Sequence, residues 1–224
     1  MWNDFSTIFL LVFTGLLPVV NPPGSALIVL GLVPEASSPQ RAWLARGIAL
    51  NSLLMLAASI GVGAYVLSFF GISIPVLRLA GGAVIAATGW RLLNAPAQVD
   101  HHVSAGLAEA EAGVDEAPLR AQLFYPLTLP ITVGPGSIAV AIALGTSSPR
   151  EGPLPIHIIA AAAALLVLCA LIYICMRYAW QLRRLLGNSG TQVALRLLAF
   201  VILCIGVQIG WLGLSELLAG LPRS

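Results

Sequence analysis

The stretch Leu17-Pro18-Val19-Val20-Asn21-Pro22-Pro23-Gly24-Ser25 lies in the middle of an apolar run long enough to cross a bilayer. Three prolines and a glycine interrupt what would otherwise be one continuous helix. In hydrocarbon every backbone N–H and C=O needs a partner, so such a break persists only where it is buried in protein or lines a wet cavity. Half a chain further on the interruption recurs as Leu129-Pro130-Ile131-Thr132-Val133-Gly134-Pro135-Gly136-Ser137. In a single register Leu17, Pro18, Pro23, Gly24 and Ser25 match Leu129, Pro130, Pro135, Gly136 and Ser137. Paired interruptions at corresponding positions of two halves are the sequence pointer to a transporter binding site.

The surrounding composition puts these breaks in lipid. Of 224 residues, 58% are hydrophobic and 9% charged, where a soluble domain carries about 25% charged residues. With about 20 apolar residues needed per crossing, the chain reads as six spans: 5–32, 45–70, 74–93, 119–145, 155–178 and 195–218. A polar, acidic stretch at 94–118 separates the third from the fourth and has too little apolar content to fold alone. The expected fold is all-α: a polytopic membrane protein with a first three-helix repeat at 1–93, a linker at 94–118 and a second repeat at 119–224. Three spans per repeat is odd, so the copies must lie upside down relative to each other, with helices 1 and 4 broken at mid-membrane. Leu77-Arg78-Leu79 and Leu195-Arg196-Leu197, which open the third and sixth spans, give the repeat a second correspondence.

Arginine supplies all 11 basic residues, and its placement sets the expected orientation. Arg41, Arg46, Arg91, Arg120, Arg177, Arg183, Arg184 and Arg196 fall in or beside loops on one side. Only Arg78, Arg150 and Arg223 fall on the other. The richer side is expected in the cytoplasm, with both termini outside. Trp2, Trp43, Trp90 and Trp180 sit near span ends, where amphipathic rings favour the interface. The start Met1-Trp2-Asn3-Asp4 lacks the positive region of a signal peptide, so the first span is expected to be retained.

At the first break Asn21 is a suitable N-cap, and Pro22 and Pro23 suit a first helical turn, where N–H groups are not needed. A short helix from about Pro22 would point its N-terminus into the membrane, and Thr132 or Gly134 before Pro135 offers the same from the opposite side. Such ends attract anions, so a carboxylate suits them. Gly24 and Gly136 would admit close backbone approach, and Asn21, Ser25, Thr132 and Ser137 would add neutral hydrogen bonds. Asn51, Thr88 and Gln208 are further polar candidates in the second, third and sixth spans, although residues such as Asn51 and Gln208 also bond between helices. No acid or arginine lies deep in a span; Arg78 and Arg196 are close enough to ends to snorkel. A site without buried charge suits a neutral or zwitterionic solute. Gly82, Ala83, Ala86 and Ala87 form a small-residue face that close helix packing explains.

Other chemistries have little to stand on. Cys169, Cys175 and Cys204 lie inside spans without metal-ligand spacing, and no Cys-x-x-Cys, helical His-Glu-x-x-His or intramembrane acid pair occurs. His101-His102 in an acidic linker is weak as a metal site. The expectation is therefore no enzyme, no metal, no cofactor and no nucleic-acid partner. The expected partners are the lipid bilayer and a small solute, and a homo-oligomer is left open.

Pro18-Val19-Val20-Asn21-Pro22-Pro23-Gly24, Arg78-Leu79-Ala80-Gly81-Gly82, Leu127-Thr128-Leu129-Pro130 and Gly134-Pro135-Gly136 together resemble the MarC family of bacterial inner-membrane proteins. The chain departs from that pattern in having Ser25-Ala26-Leu27 after the glycine, where a further proline is expected. The family is similar to the six-span transporters of the wider LysE group, and some members are described as transporters of small neutral amino acids. The resemblance thus implies an inner-membrane transporter of alanine, glycine, serine or threonine. The alternatives are a non-transporting membrane subunit, a stress-related membrane factor, or an exporter of another small neutral solute.

Overall fold

The computed structural model describes residues 2–34, 36–94, 120, 122–147 and 154–219. Residues 95–118 of the expected linker, with its His101-His102 pair, lie outside them, as do Arg150 and Arg223. The described residues form helices α1 (Trp2–Val20), α2 (Pro22–Leu32), α3 (Ser38–Phe69), α4 (Ile74–Leu93), α5 (Leu123–Thr132), α6 (Pro135–Ser147), α7 (Leu154–Arg177) and α8 (Ala179–Ala219). No strand occurs among them. Five segments are long and apolar enough to cross a membrane, with α1 and α2 counted as one; a sixth results if α5 and α6, bent by 67°, are taken together.

Two helices run longer than hydropathy suggests. α3 starts at Ser38 rather than near residue 45 because Ser37 and Gln40 form a reciprocal capping box that stabilises a polar first turn. α8 starts at Ala179, with a kink where Gly187 takes φ 66, a value only glycine adopts freely.

Lipid provides no hydrophobic force between helices, so association depends on close packing. Ile8, Val12, Leu16 and Val20 recur every fourth residue and bury one face of α1. α7 answers with Ala160, Ala164, Leu168 and Ile172, all buried, and packs between α1 and α3. Among the described helices α4 and α8 make the most extensive contact. A methyl built on Gly82 would overlap backbone atoms of Gly206 and Gly210, and one on Gly89 would meet the backbone of Leu203. The small-residue face of the third span is therefore a backbone-to-backbone seam. This pair touches the remaining helices more sparsely, chiefly through α4 on α6 and α2 on α8. The packing thus separates a body of α1–α3 and α5–α7 from an α4–α8 arm.

The two ends of the bundle differ in charge. At one end Arg41 donates from Nε to the Ala36 carbonyl at 2.7 Å and lies 5.2 Å from the Trp180 ring. Arg120 sits 6.0 Å from the Trp43 ring, and Arg177 is 3.4 Å from the Ser38 hydroxyl. At the other end, where α4 begins and α8 finishes, Arg78 pairs with Glu216.

Candidate functional site

Proline chemistry sets the local structure at both breaks. Asn21 takes φ 46 and ψ 65, a left-handed conformation that asparagine tolerates better than most residues. Its backbone N–H donates to the Leu17 carbonyl at 3.0 Å, and its side-chain oxygen accepts from the Gly24 N–H at 3.3 Å. Pro22 and Pro23 occupy the first turn of α2. At the second break Pro126 and Pro130 remove two N–H donors, so α5 is wound more widely and the Val133 N–H reaches back five residues to the Thr128 carbonyl at 2.8 Å. Tyr125 and Leu129, each preceding a proline, are extended rather than helical. The Thr128 and Thr132 hydroxyls donate to the carbonyls of Leu123 and Leu127, at 2.7 and 2.8 Å.

Both breaks open into one cavity of about 710 Å³, within the ~300–1,000 Å³ usual for ligand pockets. Val19, Val20, Asn21 and Ser25 line it from the first break; Pro130, Ile131, Thr132, Gly134, Pro135, Gly136 and Ser137 line it from the second. The α4–α8 arm supplies the opposing wall through Val84, Ile85, Thr88 and Ile202. Trp90, Arg91, Asn94 and Tyr125 continue the lining toward the C-terminal end of α4, which is the arginine-rich end of the bundle. Toward the opposite end, α6 closes the space. Methyls built on Gly63, Gly81 and Gly145 would overlap Ile142, Ala139 and the Ile60 carbonyl, so α6 sits tightly against α3 and α4 beyond its first turn.

The expected site residues divide accordingly. Asn21, Ser25, Thr132, Gly134, Pro135, Gly136 and Ser137 share the cavity, whereas Pro22, Gly24, Asn51 and Gln208 are not among its lining residues. Gly24 instead faces the Asn21 amide, which a Cβ there would overlap; its small size serves the cap rather than a ligand. Asn51 donates to the Thr128 hydroxyl at 3.4 Å and ties α3 to α5. Gln208 is exposed on the outside of α8. Sequence reasoning did not bring forward Trp90, Arg91, Asn94 or Tyr125. A usable signal was present, because Arg91 and Asn94 follow Thr88 by about one and two helical turns.

Hydrogen-bond accounting shows that the breaks are chemically different. α2 has no free N–H at its start: Pro22 and Pro23 lack one, Gly24 donates to the Asn21 side chain, and Ser25 donates to the Asn21 carbonyl at 2.9 Å. The expectation that both short helices offer N–H groups to a carboxylate is therefore corrected for α2. At α6 the N–H groups of Gly136 and Ser137 have no acceptor among the described residues. The Ser137 hydroxyl has none either, although the residue is only 2% exposed. The backbone donors that can face a ligand thus belong to α6, whereas the first break offers the side-chain N–H group of Asn21. Among the described lining residues Arg91, at the mouth, is the one formal charge.

The model of the MarC family integral membrane proteins matches residues 6–218. The chain belongs to the MarC family. It is 32% identical over 205 residues to the inner membrane protein MarC of Salmonella paratyphi A, covering 91% of this chain and 92% of that one. The Citrobacter koseri protein of the same name is 32% identical over 206 residues, with the same coverage. The Escherichia coli O1:K1 protein is 30% identical over 205 residues, again across 91% and 92% of the two chains. No solved structure matches the chain significantly. The family, the apolar helices and the relatives' names together make this a multi-pass inner-membrane protein.

Proposed function

We propose that the protein transports small neutral amino acids by alternating access, around a site where the two breaks meet. The observation that carries this reading is the α6 N-terminus: two N–H groups and the hydroxyl of the largely buried residue Ser137, without acceptors among the described residues, at a cavity that also receives the other break. A carboxylate fits those donors, and the helix dipole favours it. The absence of an acidic side chain among the described lining residues, and the position of Arg91 at the mouth rather than the floor, favour a solute without net charge. No chemistry on the solute is proposed, and the protein is read as a carrier rather than an enzyme.

In this reading the halves are inverted repeats, both termini lie outside the cytoplasm, and the arginine-rich end faces inward. The cavity would then be open to the cytoplasm and closed outward by α6. Packing suggests that the α4–α8 arm moves against the body, so the moving parts follow contact rather than chain order.

Flux of radiolabelled alanine, glycine, serine and threonine into proteoliposomes tests the proposal. Saturable, mutually competing flux is expected. A properly inserted protein that moves none of them would remove the transport reading and favour a non-transporting membrane subunit.

A further inference from the structure

The first break is rich in acceptors, and this points to a second subsite in the same cavity. In an uninterrupted helix the carbonyls of Pro18, Val19 and Val20 would accept from the N–H groups four residues on. Those residues are Pro22, Pro23 and Gly24. The prolines have no N–H to give, and the Gly24 N–H is turned to the Asn21 side chain. No other donor among the described residues reaches these carbonyls. In a membrane interior an unsatisfied carbonyl is costly, so these groups must be met from the cavity, by water, a donor or a cation. Val19 and Val20 line the cavity, and α1 has no basic residue in its last turn to neutralise its negative end.

We propose that the carbonyls at the C-terminal end of α1 hold a cationic group, the ammonium of the bound solute. An ammonium carries three N–H donors, enough for the open carbonyls of Val19 and Val20, the two of these residues that line the cavity. The two breaks then divide the work: α6 takes the carboxylate and α1 takes the amine. This inference rests on the transport reading above and assigns the two charged ends of its amino-acid substrate to the two breaks. A free alkali-metal ion has the same chemistry as an occupant, and the test separates the two sources.

The experiment measures binding to the purified full-length protein in nanodiscs. Radiolabelled alanine is compared with propionate, which keeps the carboxylate but lacks the amine, and radioactive sodium is tested without organic solute. Alanine is expected to bind about tenfold or more tightly than propionate, the effect of at least one charge-assisted bond. The double variant Pro22→Ala, Pro23→Ala supplies two N–H groups and frees Asn21 to turn helical, so that α1 can continue and the N–H groups at 22, 23 and 24 reach the Pro18, Val19 and Val20 carbonyls. It should erase that preference while leaving propionate affinity unchanged. Saturable sodium binding without solute, lost in the double variant, would support the cation subsite and make the free ion its occupant. Equal binding of alanine and propionate by the wild type, with no sodium binding, would overturn the subsite while leaving the α6 reading intact. Binding of none of the three would remove the transport reading and this inference with it.

Discussion

Replacing Ser137 with alanine tests the donor set at α6 with little structural disturbance. The Ser137 hydroxyl has no partner among the described residues, so its removal breaks no bond within the folded protein. Stability should therefore change by no more than about 0.5 kcal/mol, as for substitutions that remove no packing or hydrogen bond. If the hydroxyl donates to a carboxylate, the lost bond is worth about 1.5–3 kcal/mol. At ~1.4 kcal/mol per factor of ten, affinity for alanine should fall about ten- to a hundredfold. Thr132→Val is the contrasting case, because that hydroxyl already donates to the Leu127 carbonyl at 2.8 Å in a residue 1% exposed. It should lower stability by about 1 kcal/mol and affect affinity less. Radioligand binding and thermal unfolding in detergent, on both variants, separate the two effects. Normal alanine affinity in Ser137→Ala would refute the claim that this hydroxyl faces the solute. Destabilisation equal to that of Thr132→Val would show that it has a structural partner.

Other variants probe the scaffold and the direction of opening. Gly82→Val should yield little folded protein, because even a methyl there overlaps the backbone of Gly206 and Gly210 and the α4–α8 seam cannot widen without losing its contacts; size-exclusion chromatography after extraction reads this. Gly24→Ala should weaken the Asn21 cap at a cost of about 1 kcal/mol, lowering the unfolding temperature of a protein that keeps its relative preference among solutes. With the three native cysteines replaced, Tyr125→Cys should react with a membrane-impermeant maleimide from the arginine-rich side and be protected by alanine. Ala139→Cys, 6% exposed on α6 where it faces Gly81 of α4, should stay unlabelled; the reverse pattern would place the opening at the other end.

The parts of this protein that could be read from sequence are those where a residue type leaves the backbone no choice. Pro22 and Pro23 must interrupt hydrogen bonding, and Asn21 before them is a natural cap, so the helix start at Pro22 followed. Gly82 and Ala86 in an apolar span foretold a close helix contact, and the seam with α8 is that contact. Rotation of a helix about its axis is harder to read when nearly every residue is apolar, because no polar stripe marks the buried side. For that reason Gln208, a polar residue in an apolar span, suggested the cavity but sits exposed outside it. Asn51 suggested a ligand contact but bonds Thr128. The difference between the two breaks was hidden for another reason. The residues that start α2 also consume or lack its N–H groups, which becomes visible only when each donor is followed to its acceptor.

The most direct measurement is an experimental structure of the protein with alanine bound in a lipid nanodisc. The account predicts alanine between the two breaks, its carboxylate within hydrogen-bond distance of the Gly136 and Ser137 N–H groups. Alanine bound elsewhere, or a lipid acyl chain filling the space between Asn21 and Ser137, would contradict it.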